Sequence, residues 1–292
     1  MNVSDTAKLG TIGYRTPAFF GLEDKWIETA PGELTHYHEA GSGTPVVFLH
    51  GSGTGVSAAA NWWLNLPAVS GSLRAIAPDS IGWGATIQPG GTKFGIREWG
   101  RHVLRLLDAL GIDKTWLVGN SLGGWIALQL AVDHPDRILG IVSMGTGGAA
   151  PTAAIKGHQD PDISTAGMRK AFSVFVTNPQ LVTDEMIAAR RIIAEYEVGS
   201  GRLAQVIEAR ERDRHAVVLQ QDELARITAP VLLVHGLQDV VIPPERTWEL
   251  VGWMPSADAL ILNRCGHWSQ IERAAAFNDV LTRFVAGTWA RS

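Results

Sequence analysis

The stretch that decides the fold is GNSLGG, residues 119–124. It follows the apolar run TWLV at 115–118 and precedes an apolar helical pattern at 125–131. A serine flanked by glycines between such runs predicts a strand, a sharp turn and a helix, with the hydroxyl of Ser121 above the strand end. The stretch alone leaves two interpretations open, because Ser121 is either a nucleophile or a polar residue in a glycine turn.

Apolar runs and helical patterns alternate along the rest of the chain. Continuous apolar strands separated by helices are typical of a mainly parallel sheet covered on both faces. We therefore predict an α/β fold with a mostly parallel eight-stranded sheet and helices on both faces. The antiparallel part is an edge hairpin around 26–29 and 34–38. The other predicted strands are 46–49, 74–77, 115–118, 138–144, 231–234 and 259–262, and the predicted helices include 96–110, 122–132 and 271–289.

Residues 149–224 break this alternation. The segment follows a stretch rich in glycine, alanine and proline, has helical periodicity and dense charge, and is longer than the dozen or so residues that one crossover needs. A helical insertion after a sheet strand lies over the carboxyl ends of the strands, where ligands bind in α/β sheets. We predict an α/β core in two parts, residues 1–148 and 225–292, with a helical cap formed by residues 149–224.

Two further loops supply partners for Ser121. Asp239 follows the predicted strand 231–234, and His267 follows the predicted strand 259–262. The chain order Ser121, Asp239, His267 is the nucleophile, acid and base order of α/β-hydrolases. A serine hydroxyl is too weakly acidic to attack unaided, so His267 would take its proton and Asp239 would orient the imidazole. Asp79 is the competing carboxylate, but its PDSIGWG setting predicts a turn that it caps itself.

Two backbone N–H groups are candidates for an oxyanion hole. The N–H of Leu122 stands at the start of the predicted helix, where the helix dipole favours negative charge. The N–H of Ser52 lies in the glycine-rich segment HGSG, residues 50–53, directly after the strand 46–49.

The overall composition excludes several classes of protein. The chain has 292 residues, a formal net charge of −4 and a single cysteine, Cys265. One cysteine excludes an internal disulfide framework and a cysteine-based zinc cluster. The absence of a long basic run argues against nucleic acid as a partner, and no segment approaches the roughly 18 apolar residues of a membrane span. Because the first residues contain no apolar signal region, we expect a cytoplasmic protein.

These motifs together resemble one family. The residues that carry the resemblance are HGSGTGVS at 50–57 with Asn61 and Trp62, GNSLGG at 119–124, and RCGHWSQIE at 264–272. They are similar to the meta-cleavage product hydrolases, α/β-hydrolases that cut a carbon–carbon bond in ring-fission products of aromatic compounds. The resemblance implies a substrate of the 2-hydroxy-6-oxo-hexa-2,4-dienoate type and no cofactor. It also implies that the products are a 2-hydroxypenta-2,4-dienoate and a carboxylic acid.

The same resemblance implies the residues that contact the substrate. Arg190 matches the family's cap arginine and would bind the carboxylate in its planar fork, although the adjacent Arg191 leaves the register open. The other implied substrate contacts are Gly51, Asn61, Asn120 and Trp268. The distal substituent and self-association into a homo-oligomer are left open. Candidates for the lining of the distal pocket are Phe172, Phe175, Val176, Met186 and Trp248.

Two other functions fit the same residues. A carboxylesterase would use an identical triad and oxyanion hole, so the triad does not separate ester from carbon–carbon bond hydrolysis. A small-molecule receptor on this fold would carry a silent triad, which the presence of Ser121, Asp239 and His267 disfavours.

Overall fold

A computed structural model describes residues 15–148 and 162–289. These residues contain an eight-stranded sheet. Its strands are β1 (Lys25–Ala30), β2 (Glu33–Ala40), β3 (Thr44–Leu49), β4 (Leu73–Pro78), β5 (Thr115–Asn120), β6 (Ile138–Met144), β7 (Val231–Gly236) and β8 (Ala257–Leu262). Their order across the sheet is β1-β2-β4-β3-β5-β6-β7-β8. The pairs β1–β2 and β2–β4 are antiparallel. The remaining pairs, β4–β3, β3–β5, β5–β6, β6–β7 and β7–β8, are parallel. The predicted α/β fold and its edge hairpin are confirmed.

Helices connect the strands and cover the sheet. They are α1 (Ala58–Trp62), α2 (Leu66–Val69), α3 (Ile96–Ala109), α4 (Leu122–Asp133), α5 (Thr165–Ser173), α6 (Asp184–Gly199), α7 (Arg202–Ala216), α8 (Gln221–Leu224), α9 (Glu245–Trp253), α10 (Ser269–Glu272) and α11 (Ala274–Val285). None of the helices in the described part of the chain is long and apolar enough to cross a membrane.

The central strands of the sheet are buried on both faces over most of their length, which explains their largely apolar sequences. In β3, Val47 and Leu49 pack into one core with α3 and α4, whereas Val46 and Phe48 pack into the other with α1, α2 and α11. Successive side chains of a strand point to opposite faces, so a strand covered on both sides needs apolar residues at every position. This is the arrangement that the apolar runs predicted.

The closing helix predicted for residues 271–289 is wrong. The chain forms α10 and α11 instead, with a break at Arg273, and the second helix ends at Val285. The carboxylate of Glu272 accepts hydrogen bonds from the N–H groups of Gly266 and Thr177, at 2.7 and 2.8 Å. Thr177 lies far from α10 and α11 in sequence, and helical periodicity carries no signal for a break at such a tertiary contact.

Helices α5 to α8 lie between β6 and β7, in the segment that the sequence singled out. We call α5, α6 and α7 the cap helices. They bring Met168, Phe172 and Met186 into an apolar cluster with Trp268 of the core. The predicted boundary at residue 149 falls within residues 149–161, outside the described residues, and the division into core and cap stays a prediction.

Candidate active site

Ser121 stands on a strained turn between β5 and α4. Its backbone has φ 54° and ψ −110°, in a region that non-glycine residues rarely occupy. The turn is held by the N–H of Ser121, which donates to the carbonyl of Met144 at the end of β6, at 2.8 Å. Such strain persists only where the surroundings impose it, and it is typical of functional positions.

Glycines around Ser121 make this turn sterically feasible. A Cβ at Gly119 would lie 2.4 Å from the backbone of Gly123, and a Cβ at Gly123 would lie 2.1 Å from the carbonyl oxygen of Leu49. A Cβ at Gly124 would meet the hydroxyl of Ser143 at 2.2 Å. Atoms of side chains cannot approach so closely, so the start of α4 packs against β3, β5 and β6 only with glycine at these positions.

Asp239 and His267 meet at the same edge of the sheet. Nδ1 of His267 lies 2.7 Å from Oδ2 of Asp239. A carboxylate only accepts hydrogen bonds, so Nδ1 carries the proton and Nε2 remains as the acceptor. The N–H groups of Val241 and Ile242 donate to Oδ1 of Asp239 at 2.8 and 3.0 Å. The carboxylate is therefore fixed by its own loop and presents one oxygen to the histidine.

The charge state of Asp239 suits the role of an orienting carboxylate. Burial by itself would raise the pKa of Asp239, but the nearby charge of His267 and hydrogen bonds from His235 and His267 hold it well below its usual range. His235 is fixed in turn, because its Nδ1 bonds the hydroxyl of Thr247 at 2.7 Å. Asp239 is thus ionised at neutral pH, as the role of an orienting carboxylate requires.

Asp79, the competing carboxylate, has a structural environment. It accepts hydrogen bonds from the N–H groups of Ala58 and Ala85 at 2.7 and 2.8 Å. His36 contacts Asp79 through Nδ1 at 2.7 Å and Asp24 through Nε2 at 2.9 Å. Asp24, His36 and His38 bring potential metal ligands within 4.8 Å of one another, yet both ring nitrogens of His36 already bond carboxylates.

A cavity of about 300 Å³ lies above Ser121 and His267. Its size falls in the range of ligand sites, about 300–1,000 Å³. Most of the predicted site residues line this cavity. Asp239 is not among the lining residues and contacts His267 instead. The predicted residues that line the cavity are Gly51, Ser52, Asn61, Asn120, Ser121, Leu122, Arg190, His267 and Trp268.

Arg190 is an unusual cation because it is almost completely buried, with 1 % of its surface exposed. Its guanidinium donates to the carbonyl oxygens of Gly55 and Ala60. Its Cζ lies 4.5 Å from the ring centroid of Trp268 and 5.1 Å from that of Phe172. Burial lowers the pKa of Arg190 to about 9, so it stays charged at neutral pH.

The alternative Arg191 lies on the protein surface instead. Its side chain is 47 % exposed and pairs with Glu195 at 3.3 Å. Of these two adjacent arginines, Arg190 is the one that lines the cavity.

Two asparagines present amide groups to the cavity. Asn61 is buried, and its Nδ2 has no hydrogen-bond partner among the described residues. Asn120 is buried too, and its Nδ2 donates to the carbonyl of His267 at 3.4 Å. A buried amide without a partner costs free energy, and a polar ligand atom would offset that cost.

The oxyanion-hole candidates lie beside Ser121. Leu122 is the first residue of α4, and Ser52 lies in the loop after β3. The side chain of Ser52 accepts a hydrogen bond from Nη1 of Arg210 at 3.0 Å. The catalytic and oxyanion roles of these residues stay predictions.

Some lining residues were missed in the sequence, and three of the five candidates for the distal pocket do not line the cavity. Phe172 and Phe175 line the cavity as expected, whereas Val176 and Met186 pack in the apolar cluster of Trp268. Trp248 is 57 % exposed on α9, because its helix turns that face to solvent. The missed lining residues include the charged side chains Lys170, Arg210 and Arg214. Arg210 and Arg214 share helical spacing with Ile207, a signal that was available in the sequence.

Comparison with known proteins decides the family. Residues 44–274 match the family model described as the alpha/beta hydrolase fold. A 2-hydroxymuconate semialdehyde hydrolase of Pseudomonas sp. (strain CF600) is 36% identical over 261 residues, which cover 88% of this chain and 92% of that protein. This chain belongs to the meta-cleavage product hydrolases of the α/β-hydrolase family.

Further relatives agree with this assignment. A 2-hydroxy-6-oxononadienedioate/2-hydroxy-6-oxononatrienedioate hydrolase of Dechloromonas aromatica is 32% identical over 279 residues, covering 89% of this chain and 94% of that protein. The solved structure of a meta-cleavage product hydrolase from Pseudomonas fluorescens IP01 has a TM-score of 0.85 and 33% identity. That match covers 91% of this chain and 98% of the solved one.

Proposed function

We propose that this enzyme hydrolyses a carbon–carbon bond in 2-hydroxy-6-oxo-hexa-2,4-dienoate-type compounds. The products are a 2-hydroxypenta-2,4-dienoate and a carboxylic acid. One observation carries the proposal: the cavity that contains Ser121 and His267 is also lined by the buried cation Arg190. A simple ester needs the triad and the oxyanion hole, but it gives a buried guanidinium nothing to bind. A dienoate brings a carboxylate to that position.

The geometry around Arg190 suits a carboxylate ligand. Its Nε is buried without a partner among the residues described, and Nη1 makes only a long hydrogen bond of 3.5 Å to Gly55. Guanidinium N–H groups that are left unpaired in this way donate strong, charge-assisted hydrogen bonds to carboxylate oxygens. The unpaired amide of Asn61 is available to an enol or carboxylate oxygen. Trp268, stacked against Phe175 with ring centroids 4.8 Å apart, offers a flat apolar wall to the diene.

The proposed reaction has two stages. The dienol first ketonises: the enol proton leaves and a proton is added at carbon five, which becomes a competent leaving group. Ser121, or a water that it activates, then adds to the distal carbonyl at carbon six while His267 takes the proton. The N–H groups of Leu122 and Ser52 stabilise the oxyanion.

Collapse of this adduct completes the cleavage. The bond between carbons five and six breaks, its electron pair forms the dienolate, and the proton that His267 holds converts this dienolate to the dienol. If Ser121 is the nucleophile, water then releases the carboxylic acid from the acyl-enzyme. Overall, one water is consumed for each bond cleaved.

A comparison of two substrates tests this function against the esterase alternative. The kcat/KM for a dienoate with a methyl ketone end is measured beside that for p-nitrophenyl acetate. We expect the dienoate to be the better substrate by at least about 100-fold, since only it engages Arg190 through charge-assisted hydrogen bonds. The dienoate is followed by the absorbance of its conjugated system. Faster ester hydrolysis with no loss of this dienoate absorbance would establish the carboxylesterase instead.

The receptor alternative is tested separately with a fluorophosphonate probe. We expect labelling of the native enzyme and none of the Ser121→Ala variant, because only an activated serine reacts. Equal labelling of both, or of neither, would contradict an active nucleophile at this position.

The cytoplasmic location expected from the sequence stays a prediction.

A further inference from the structure

We propose that the active-site cavity holds a second anion-binding subsite, formed by Arg210 and Arg214, for a carboxylate on the distal substituent of the substrate. This inference rests on the proposed function and names the class of dienoate that the enzyme prefers. That class is the dioates, which carry one carboxylate at each end.

Both arginines project from one face of α7 into the cavity. Ile207, Arg210 and Arg214 all line it. Residues spaced by three and four positions share one face of a helix. Their side chains are largely buried, with 18 % of Arg210 and 11 % of Arg214 exposed. These guanidiniums therefore belong to the cavity wall and not to the solvated surface.

The positive charge at this wall is only partly compensated. Glu211 is the ion-pair partner of both arginines, at 3.2 Å from Arg210 and 3.0 Å from Arg214. One carboxylate thus serves two guanidiniums, and Glu211 is itself 36 % exposed to solvent. Burial and the neighbouring Arg214 lower the pKa of Arg210, although Glu211 raises it. An anionic ligand would relieve this repulsion.

Arg210 also has hydrogen-bonding capacity to spare. Its Nε is buried and has no partner among the residues that the structure describes. A buried donor without an acceptor is costly, and a ligand carboxylate would satisfy it.

The position of Arg210 assigns it to the distal end of the substrate. Its Nη1 donates to the hydroxyl of Ser52, whose backbone N–H is the predicted oxyanion donor for the carbonyl under attack. Arg190 contacts a different part of the wall, the carbonyls of Gly55 and Ala60. A dienoate with its first carboxylate at Arg190 and its distal carbonyl near Ser52 therefore carries its distal substituent past Arg210.

Other charges at the cavity do not cancel this subsite. Lys170 and Asp162 also line the cavity, but both are exposed to solvent, so their opposite charges are screened. A neutral alkyl or aryl substituent would cover Arg210 and strip water from it without offering an acceptor. The chemistry of the wall favours a short chain that ends in a carboxylate.

The test uses two dienoates that differ only at the distal terminus. One is a 2-hydroxy-6-oxonona-2,4-diene-1,9-dioate, and the other is its neutral amide at carbon nine. We expect the native enzyme to prefer the dioate in kcat/KM by at least about 10-fold, the size of one charge-assisted hydrogen bond. Arg210→Met should lower kcat/KM for the dioate by about 10- to 100-fold, mainly through KM, and change that for the amide by less than about 3-fold.

Two further variants complete the design. Arg210→Lys keeps the charge and should retain part of the dioate preference. Arg212→Met removes a guanidinium from the same helix, at a side chain that is 58 % exposed, and should leave the preference unchanged.

Two results would overturn the subsite. One is a native enzyme that cleaves the amide as well as the dioate. The other is an equal loss on both substrates in Arg210→Met, which would make Arg210 a positioning residue for Ser52. If the enzyme cleaves neither compound and also fails to cleave the methyl ketone dienoate, the proposed function is overturned as well.

Discussion

Oδ2 of Asp239 lies 2.7 Å from Nδ1 of His267, and its other oxygen is held by the N–H groups of Val241 and Ile242. The bond fixes the tautomer of His267 and leaves Nε2 as the acceptor, and His267 lines the same cavity as Ser121. A strained serine, an oriented imidazole and a buried cation in one cavity are the three features from which the account of function follows.

Replacing Asp239 by asparagine tests the orienting bond. In Asp239→Asn the side-chain amide would donate to Nδ1 and force the proton onto Nε2, so the histidine could no longer accept from Ser121. We expect kcat for a dienoate to fall by about 10⁴-fold, with the thermal unfolding midpoint little changed. A variant that is folded and retains native kcat would show that the pair has no part in catalysis.

Gly119, two residues before Ser121, allows a test of the steric requirement for glycine in the turn. Gly119→Ala would place a Cβ 2.4 Å from the backbone of Gly123, so we expect the free energy of unfolding to fall by about 3 kcal/mol or more. Gly252→Ala is the matched control, because Gly252 lies in α9 with nothing within 4 Å of its added Cβ. There the same change should raise stability by about 0.5–1 kcal/mol. Urea unfolding measures both, and equal effects would refute the argument.

Arg190 is expected to act on binding of the carboxylate. Arg190→Met should lower kcat/KM for a dienoate by about 100-fold, with Arg190→Lys recovering part of the loss, because a charge-assisted pair contributes about 1.5–3 kcal/mol. Hydrolysis of p-nitrophenyl acetate by the same variants is the internal control, since this ester has no carboxylate. A parallel loss on both substrates would assign Arg190 to holding the loop at Gly55 and Ala60.

The buried histidine between two carboxylates predicts a pH dependence of stability. Burial by itself would lower the pKa of His36, but the charges of Asp79 and Asp24 and their hydrogen bonds raise it to about 9. The folded-state pKa lies above the unfolded value of about 6.5, so His36 stabilises the folded protein through its protonated form. This stabilisation is complete below pH 6.5 and is lost as pH rises to 9.

A matched variant isolates this effect. Burial raises the pKa of Glu197 to about 8, so Glu197 also makes the free energy of unfolding fall as pH rises up to that value. The effect of His36 is therefore measured as the difference in the free energy of unfolding between the native protein and His36→Gln. By urea unfolding we expect the stability advantage of the native protein over His36→Gln to shrink by on the order of 3 kcal/mol between pH 6.5 and 9. A constant difference across that range would contradict a charged His36.

Much of the fold could be predicted because its signals are local. An apolar strand that ends in GNSLGG encodes both the strand and the turn, and the close contact between Gly119 and Gly123 lies within that stretch. The contacts of Gly123 with Leu49 and of Gly124 with Ser143 are tertiary, but the glycines that they require are already visible in the motif. The order of Ser121, Asp239 and His267 along the chain was enough to expect their meeting, because the carboxyl ends of parallel strands share one edge of the sheet.

Other features depend on contacts that no local pattern encodes. The break at Arg273 accompanies the bonds of Glu272 to a distant loop, and the exposure of Trp248 depends on the face that α9 presents to the core. The spacing of Arg210 and Arg214 with Ile207 places them on one face of a helix, but only the packing of α7 shows that this face lines the cavity. Their burial is a tertiary property, and it decides the expected substrate.

Product analysis is the most direct test of carbon–carbon bond hydrolysis by this protein. The native enzyme and the Ser121→Ala variant are incubated with the methyl ketone dienoate, and both products are quantified as the chromophore decays. We expect one acetate and one 2-hydroxypenta-2,4-dienoate for each dienoate consumed, at a rate at least about 10³-fold higher for the native enzyme than for the variant. An undiminished chromophore, or its decay without release of acetate, would contradict carbon–carbon bond hydrolysis by this protein.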